Sequence, residues 1–228
     1  MTEGMKLVVV AATGGVGRQV LAQAVAAGHD VTAVVRNPAR MSATASATVL
    51  DAVRKVAVDL ADADAAALES AIGGADAVLS CLGPTGVIAR GTRSVVDAMA
   101  ATGVRRIVVV SAAPVGTVAS PGRPRPPRHD PGDGVVMRYV LNPMIKKVLR
   151  AHYADTALME DVLRDSGLDW TSVRPPRLTD KDLTGHYRTA IDQNLRRGVL
   201  ISRADVAHFM LRALDRPETI RRAVGVAY

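Results

Sequence analysis

The stretch Lys6-Leu-Val-Val-Val-Ala-Ala-Thr-Gly14-Gly-Val-Gly17-Arg-Gln-Val20 constrains this chain more than any other. A continuous apolar run, Leu7 to Val10, breaks into small residues. An apolar-periodic segment follows, through Val16, Val20, Leu21, Ala24 and Val25. That pattern predicts a strand, a tight glycine turn and a helix. Such a turn lets backbone N–H groups and a helix N-terminus face an anion, and its small residues let a pyrophosphate come close. A nucleotide or dinucleotide is the first ligand to expect.

The first half of the chain repeats that alternation. Strands are expected at Lys6–Ala11, Asp30–Arg36, Lys55–Leu60, Ala75–Leu82 and Arg105–Ser111, with helices near Val16–Ala27, Asp62–Ile72 and Gly91–Thr102. Gly28, Gly73-Gly74 and Gly103 stand where helix C-terminal caps belong. The order predicts an α/β fold, a Rossmann-type doubly wound parallel sheet with right-handed crossovers. With one Phe, one Trp and four Tyr, the core must come from Val, Ala, Leu and Ile, as suits a sheet buried on both faces. The 228 residues fit one domain with a small C-terminal lobe on the substrate side.

The region from Pro114 to Gly134 changes character. Its second half, Pro121 to Gly134, holds five prolines and little apolar content. It reads as a flexible loop, either a mobile lid over a ligand or a plain surface insertion. A helix is expected from about Pro143 to Ser166, with a break near His152. Asp169–Arg174 reads as a sixth strand, stopped by Pro175-Pro176. Residues 175–202 form the substrate-side segment, and 177–200 look irregular. Ser202-Arg-Ala-Asp205 resembles a capping box opening a helix through Leu214. Val224–Ala227 suits a short last strand.

The net charge is +7, but the basic residues are scattered and no aromatic stacking platform accompanies them. A nucleic-acid partner is not expected. No run of about 18 apolar residues predicts a membrane span, and strand one begins too early for a signal peptide. Cys81 is the only cysteine, so no intramolecular disulfide can form. A cytoplasmic setting fits. Five scattered histidines show no metal-ligand spacing. Monomer and homodimer stay open.

Arg36 ends the second strand. An acidic residue there would bind the ribose 2′-hydroxyl of NAD. An arginine suits the 2′-phosphate of NADP(H), and Arg40 can add a second cation. Arg177, beside Pro176, can pair with an anionic substrate or a developing negative charge. Cys81 reads as an inert core thiol, His152 as a solvated helix histidine, and Glu160 and Asp161 as helix-surface partners of Arg164.

The segments Ala11-Ala-Thr-Gly-Gly-Val-Gly17, Arg36-Asn-Pro-Ala-Arg40, Val58-Asp-Leu60, Cys81-Leu-Gly83 and Val109-Val-Ser111 occur in the order seen in atypical short-chain dehydrogenase/reductases. The chain resembles the NAD(P)H-binding group containing NmrA-like proteins and biliverdin-IXβ/flavin reductases. Ser166-Gly-Leu-Asp-Trp-Thr-Ser-Val-Arg-Pro-Pro-Arg-Leu178 is similar to the stretch that brings a proline loop to the nicotinamide and substrate. The resemblance implies that Thr13, Gly14, Gly15, Val16 and Gly17 wrap the pyrophosphate and that Arg36 and Arg40 hold the 2′-phosphate. It implies Asp59 and Leu60 beside the adenine, Leu82 and Gly83 beneath the adenosine ribose, and Ser111 near the nicotinamide. Pro175, Pro176 and Arg177 would line the nicotinamide and substrate end. Ser111 and Arg177 are the candidate catalytic residues.

Two departures from the family pattern matter. Ala11 stands where glycine is frequent, and alanine is expected to require negative φ there. Typical short-chain dehydrogenases place a lysine four residues after a catalytic tyrosine, but Ala157 follows Tyr153 at that spacing. A tyrosine near its ordinary pKa of about 10 shuttles protons poorly at neutral pH. Conjugated acceptors such as flavins or quinones need little more than orientation and a dry site. Three functions follow: an NADPH-dependent oxidoreductase acting on a small conjugated acceptor, a non-catalytic NADP(H)-sensing regulator, or a biosynthetic isomerase or dehydratase on the same fold.

Overall fold

The computed structural model describes residues 4–41, 45–62, 64–134, 139 and 142–228. The strand–turn–helix opening is β1 (Lys6–Val10) followed by α1 (Gly15–Ala26). The chain continues through β2 (Asp30–Val35), α2 (Ala47–Asp51), β3 (Val53–Ala57), α3 (Ala65–Ile72), β4 (Ala77–Ser80), α4 (Ile88–Thr102) and β5 (Arg106–Val110). After the proline-rich segment come α5 (Asn142–Val148), α6 (Arg150–Asp165), β6 (Asp169–Arg174), β7 (Arg177–Thr179), β8 (Arg188–Ile191), β9 (Leu200–Ser202), α7 (Arg203–Arg212) and β10 (Arg222–Ala227).

The main sheet has eight strands in the order β3-β2-β1-β4-β5-β6-β10-β8. Strand β8 runs antiparallel to β10, and the other pairs are parallel. The Rossmann-type doubly wound sheet is therefore present. Successive β1 residues explain its layers. Leu7 and Val9 face a core shared with Val20, Leu21, Phe209 and Met210 of α1 and α7. Val8 and Val10 face the opposite core, with Leu68, Ile72, Met99 and Met159 of α3, α4 and α6. Both sets are nearly inaccessible, as a sheet covered by helices requires.

Several expected boundaries shift for local reasons. Asp64 caps α3 by accepting from the N–H groups of Ala66 and Ala67, so the helix starts at Ala65 rather than Asp62. Helix α4 starts at Ile88, a turn before Gly91. Its N-terminal N–H groups are held by Asp155 of α6, which accepts from Gly86, Ile88 and Ala89. This tertiary cap has no local sequence signature. The long helix breaks at Leu149, not at His152. Residues 177–200 are not simply irregular. Strands β7 and β9 pair in parallel as a separate two-stranded sheet, and β8 widens the main one. Each has only three or four residues, and β7 and β8 are exposed or half-buried throughout, so none shows alternation in sequence. The Ser202 hydroxyl accepts from the Asp205 N–H, as the capping box predicts. The Ser202 N–H, however, donates to the Tyr228 hydroxyl.

The segment from Pro114 to Gly134 is tied down at two points. Asp161 accepts from the Ser120 hydroxyl and the Gly122 N–H. Asp130, 3% exposed, accepts from the N–H groups of Gly132 and Asn194. Among the described residues, no helix is long and apolar enough to cross a membrane.

Ala11 corrects one expectation. Its φ is +58°, so alanine occupies the left-handed region rather than avoiding it. Its N–H donates to Val34 O and its carbonyl accepts from the Gly14 N–H, which holds the turn in place. A left-handed non-glycine residue costs about 1–2 kcal/mol, partly offset by the lower chain entropy of alanine when unfolded. Ala11→Gly should therefore raise stability by about 0.5–1 kcal/mol in urea unfolding, with an unchanged m-value.

Candidate active site

Parallel strands all end on one edge, and the loops leaving that edge form two adjoining cavities. The first, of about 500 Å³, follows the ends of β1, β2, β4 and β5. Thr13, Gly14, Gly15 and Val16 line it from the glycine turn, and Arg36 and Arg40 from the loop after β2. Leu82 and Gly83 line it after β4, and Ser111 after β5. Strands β2 and β5 are separated by β1 and β4. Arg36 and Ser111 are thus three strand spacings apart, about 14 Å.

The glycines serve distinct ends. A Cβ on Gly17 would lie 2.4 Å from the Ala11 carbonyl oxygen. Gly17 is buried and lets α1 pack against the end of β1, outside the cavity lining. A Cβ on Gly15 would lie 2.7 Å from Arg203 Nε, so the Arg203 side chain rests against the bare backbone on the cavity side. This bare turn, with two arginines at the other side of β1, suits a phosphate-rich dinucleotide.

Asp59 and Leu60 do not line the cavity. The Asp59 carboxylate accepts from the Ala61 N–H at 3.0 Å. Leu60 is 7% exposed, packed where a Cβ on Gly91 would meet it at 3.1 Å. Pro175, Pro176 and Arg177 lie in the second cavity, of about 720 Å³. Its walls are largely apolar, with Ala112, Ile145, Leu149, Tyr153, Leu195 and Val199, and it carries Asp133, Asn194 and Arg197 as polar groups. Four residues line both cavities: Ser111, His152, Leu178 and Arg203.

A buried ionic cluster supports that junction. Glu160 and Arg174 are 3% and 5% exposed. Arg174 donates through Nε to Glu160 Oε1 at 2.9 Å and through Nη2 to Oε2. The hydroxyls of Ser111 and Ser172 also donate to Oε1, at 2.9 and 2.8 Å. Burial pushes the Glu160 carboxyl up, but the Arg174 charge and these hydrogen bonds outweigh it and hold it below the ordinary carboxylate value. Burial likewise works against the Arg174 cation, and Glu160 more than restores it. Both groups are charged at neutral pH. The Ser111 proton is committed to Glu160, so toward the cavities its oxygen is an acceptor.

Glu160 and Asp161 are therefore not surface residues. Arg164 does pair with both, but their main partners are buried groups on other elements. His152 is half-buried rather than solvated, with Nδ1 3.3 Å from the Thr85 hydroxyl. Cys81 is buried and its thiol is pushed up to about 12 by burial, which leaves it inert at neutral pH. Burial also raises Tyr153, so its phenol stays protonated. Among the described residues, no group of three or more His, Cys, Asp or Glu is placed to hold a metal ion.

The sequence reading gave Glu160 a surface role and gave no site role to Arg174 or Arg203. For Glu160 a signal existed. Tyr153, Thr156, Ala157, Glu160 and Leu163 follow a three-four spacing along α6, and all are buried. Glu160 occupies the core stripe, where a lone charge requires a buried partner.

Solved structures share this fold. A short-chain dehydrogenase/reductase from Veillonella parvula DSM 2008, solved in complex with NADP, has a TM-score of 0.79 at 16% identity, covering 98% of this chain and 94% of that one. An anaerobillin reductase from Escherichia coli O157:H7 has a TM-score of 0.75 at 21% identity, covering 97% and 96%. The oxidoreductase ylbE from Lactococcus lactis has a TM-score of 0.72 at 18% identity, covering 98% and 90%. A family model described as NAD(P)H-binding matches residues 11–217. With its sheet order, its glycine turn and this match, the chain belongs to the NAD(P)H-binding family.

Proposed function

We propose that the chain is an NADPH-dependent oxidoreductase that reduces a small conjugated acceptor. The observation that carries this reading is the junction of the two cavities. A phosphate-suited cleft and a largely apolar pocket share Ser111, His152, Leu178 and Arg203 as a common wall. A cofactor in the first and an acceptor in the second would meet there. The reduced nicotinamide, when bound, supplies hydride.

In this reading Thr13, Gly14, Gly15 and Val16 present backbone N–H groups and open space to the pyrophosphate, and Gly17 keeps α1 close enough to do so. Arg36 and Arg40 hold the 2′-phosphate. Leu82 and Gly83 pass beneath the adenosine ribose. Ser111, fixed by Glu160, accepts a hydrogen bond from the nicotinamide end. Pro175 and Pro176 exclude water from the reacting face. Arg177 meets the negative charge of the acceptor. The V. parvula protein solved with NADP supports the cofactor, and the anaerobillin reductase supports a conjugated acceptor.

Ser111 is held by a charge cluster, so it responds to Glu160. Glu160→Gln leaves Arg174 buried beside a neutral group and should cost about 3 kcal/mol at pH 7. A carboxyl held low in the folded state stabilises above its unfolded pKa of about 4.3 and loses that contribution as pH falls through the folded value. The gap between wild type and Glu160→Gln should therefore be full at pH 7 and shrink progressively as pH falls below about 4.3, measured by urea unfolding across pH.

The cofactor assignment is tested at Arg36. Arg36→Asp should lower the preference for NADPH over NADH by about tenfold or more, through lost charge-assisted bonds. An unchanged preference would remove the 2′-phosphate role. The acceptor is tested by NADPH oxidation with flavins, quinones and bilins. Tight NADPH binding without turnover on any of them would favour the regulator.

A further inference from the structure

Arg203 opens α7, and its placement is unlike that of the other cations in the first cavity. Arg36 and Arg40 reach that cavity from the loop after β2, whereas Arg203 lies on the glycine turn itself. A Cβ on Gly15 would come within 2.7 Å of Arg203 Nε and 2.8 Å of its Cδ, so the stem and the guanidinium nitrogen rest directly over that residue. Helix α7 packs on α1, and Gln23 Nε2 donates to the Ala204 carbonyl at 2.9 Å. The backbone of Arg203 is thereby held at a set distance from the turn. Its Nη1 donates to Asp180 Oδ1 at 2.7 Å, and the Asp180 side chain is 83% exposed.

We propose that Arg203 is a cofactor-binding residue, a clamp that closes over the pyrophosphate from α7, with Asp180 as the counter-ion that holds the guanidinium until phosphate replaces it. The proposal rests on the NAD(P)H reading of the cleft. Three physical points carry it. No lysine or arginine lies between Ala11 and Gly17, so the turn offers N–H groups but no full charge of its own. Arg203 supplies that charge where the bare backbone of Gly14 and Gly15 faces the cavity. A guanidinium fork bridges two phosphate oxygens better than it holds one exposed carboxylate. An ion pair whose carboxylate partner stands in solvent, as Asp180 does beside the half-buried Arg203, is weak enough to be exchanged.

The test is calorimetric titration of the purified full chain with NADPH, 2′-phospho-ADP-ribose and adenosine 2′-phosphate. The last of these has no pyrophosphate. Arg203→Gln should weaken NADPH and 2′-phospho-ADP-ribose about tenfold while changing adenosine 2′-phosphate less than about twofold. Asp180→Asn removes the competing carboxylate and should tighten NADPH about two- to threefold. Equal affinities in wild type and Arg203→Gln for all three ligands would overturn the clamp and leave the cofactor reading standing. An equal loss on all three would also overturn it, as a general effect on the fold. Failure of the wild type to bind NADPH would overturn the cofactor reading and the clamp together.

Discussion

The buried pair of Glu160 and Arg174 is the interaction on which the site depends. Glu160 comes from α6 and Arg174 from the end of β6. The same carboxylate accepts hydrogen bonds from the hydroxyls of Ser111, just after β5, and of Ser172 in β6. One ion pair thus ties a helix to the ends of two neighbouring strands at the meeting point of the cavities. Desolvation of two charges is costly, and replacing a buried pair with apolar residues is often neutral or stabilising elsewhere. Here the pair has a further effect. It orients Ser111 and sets its hydrogen-bonding direction, which an apolar core would not do.

The sheet supplies the rest by topology. Parallel strands bring β1, β2, β4 and β5 to one edge, so residues far apart in the chain line one cavity. The glycine turn keeps that edge bare. Gly17 lets α1 approach β1, and Ala11 accepts a left-handed backbone to make the turn. The loop after β4 is fixed from another element, since Asp155 of α6 holds the first N–H groups of α4. Helix α6 therefore supports both cavities through Asp155 and Glu160, while its Tyr153 lines the second one.

Much of this architecture was legible in the sequence because its signals are local. The β-branched runs, the glycine turn and the capping residues Asp64 and Ser202 act within a few residues. The position of Arg36 at a strand end was equally readable, because the turn and two strands set its register. Features that depend on distant partners were hidden. Glu160 and Arg164 look like an ordinary helix-surface pair until Arg174 is brought beside them. Strands β7 and β9 pair across a long separation and have only three residues each. Arg203 reaches the glycine turn only because α7 packs on α1. Asp59 and Leu60 show the reverse case. Family resemblance set them at the adenine, while local turn geometry and core packing keep them out of the cavity lining.

On the proposed function, the bare glycine turn and the arginines after β2 make a site for NADPH in particular. Thermal unfolding with NADPH, NADP⁺, NADH and NAD⁺ at equal concentration tests it most directly. A ligand at about 100 times its Kd adds about 2.7 kcal/mol to stability. Clear upward shifts in Tm are expected with NADPH and NADP⁺ and much smaller ones with NADH and NAD⁺. Equal shifts for the phosphorylated and unphosphorylated forms, or no shift with any of them, would contradict it.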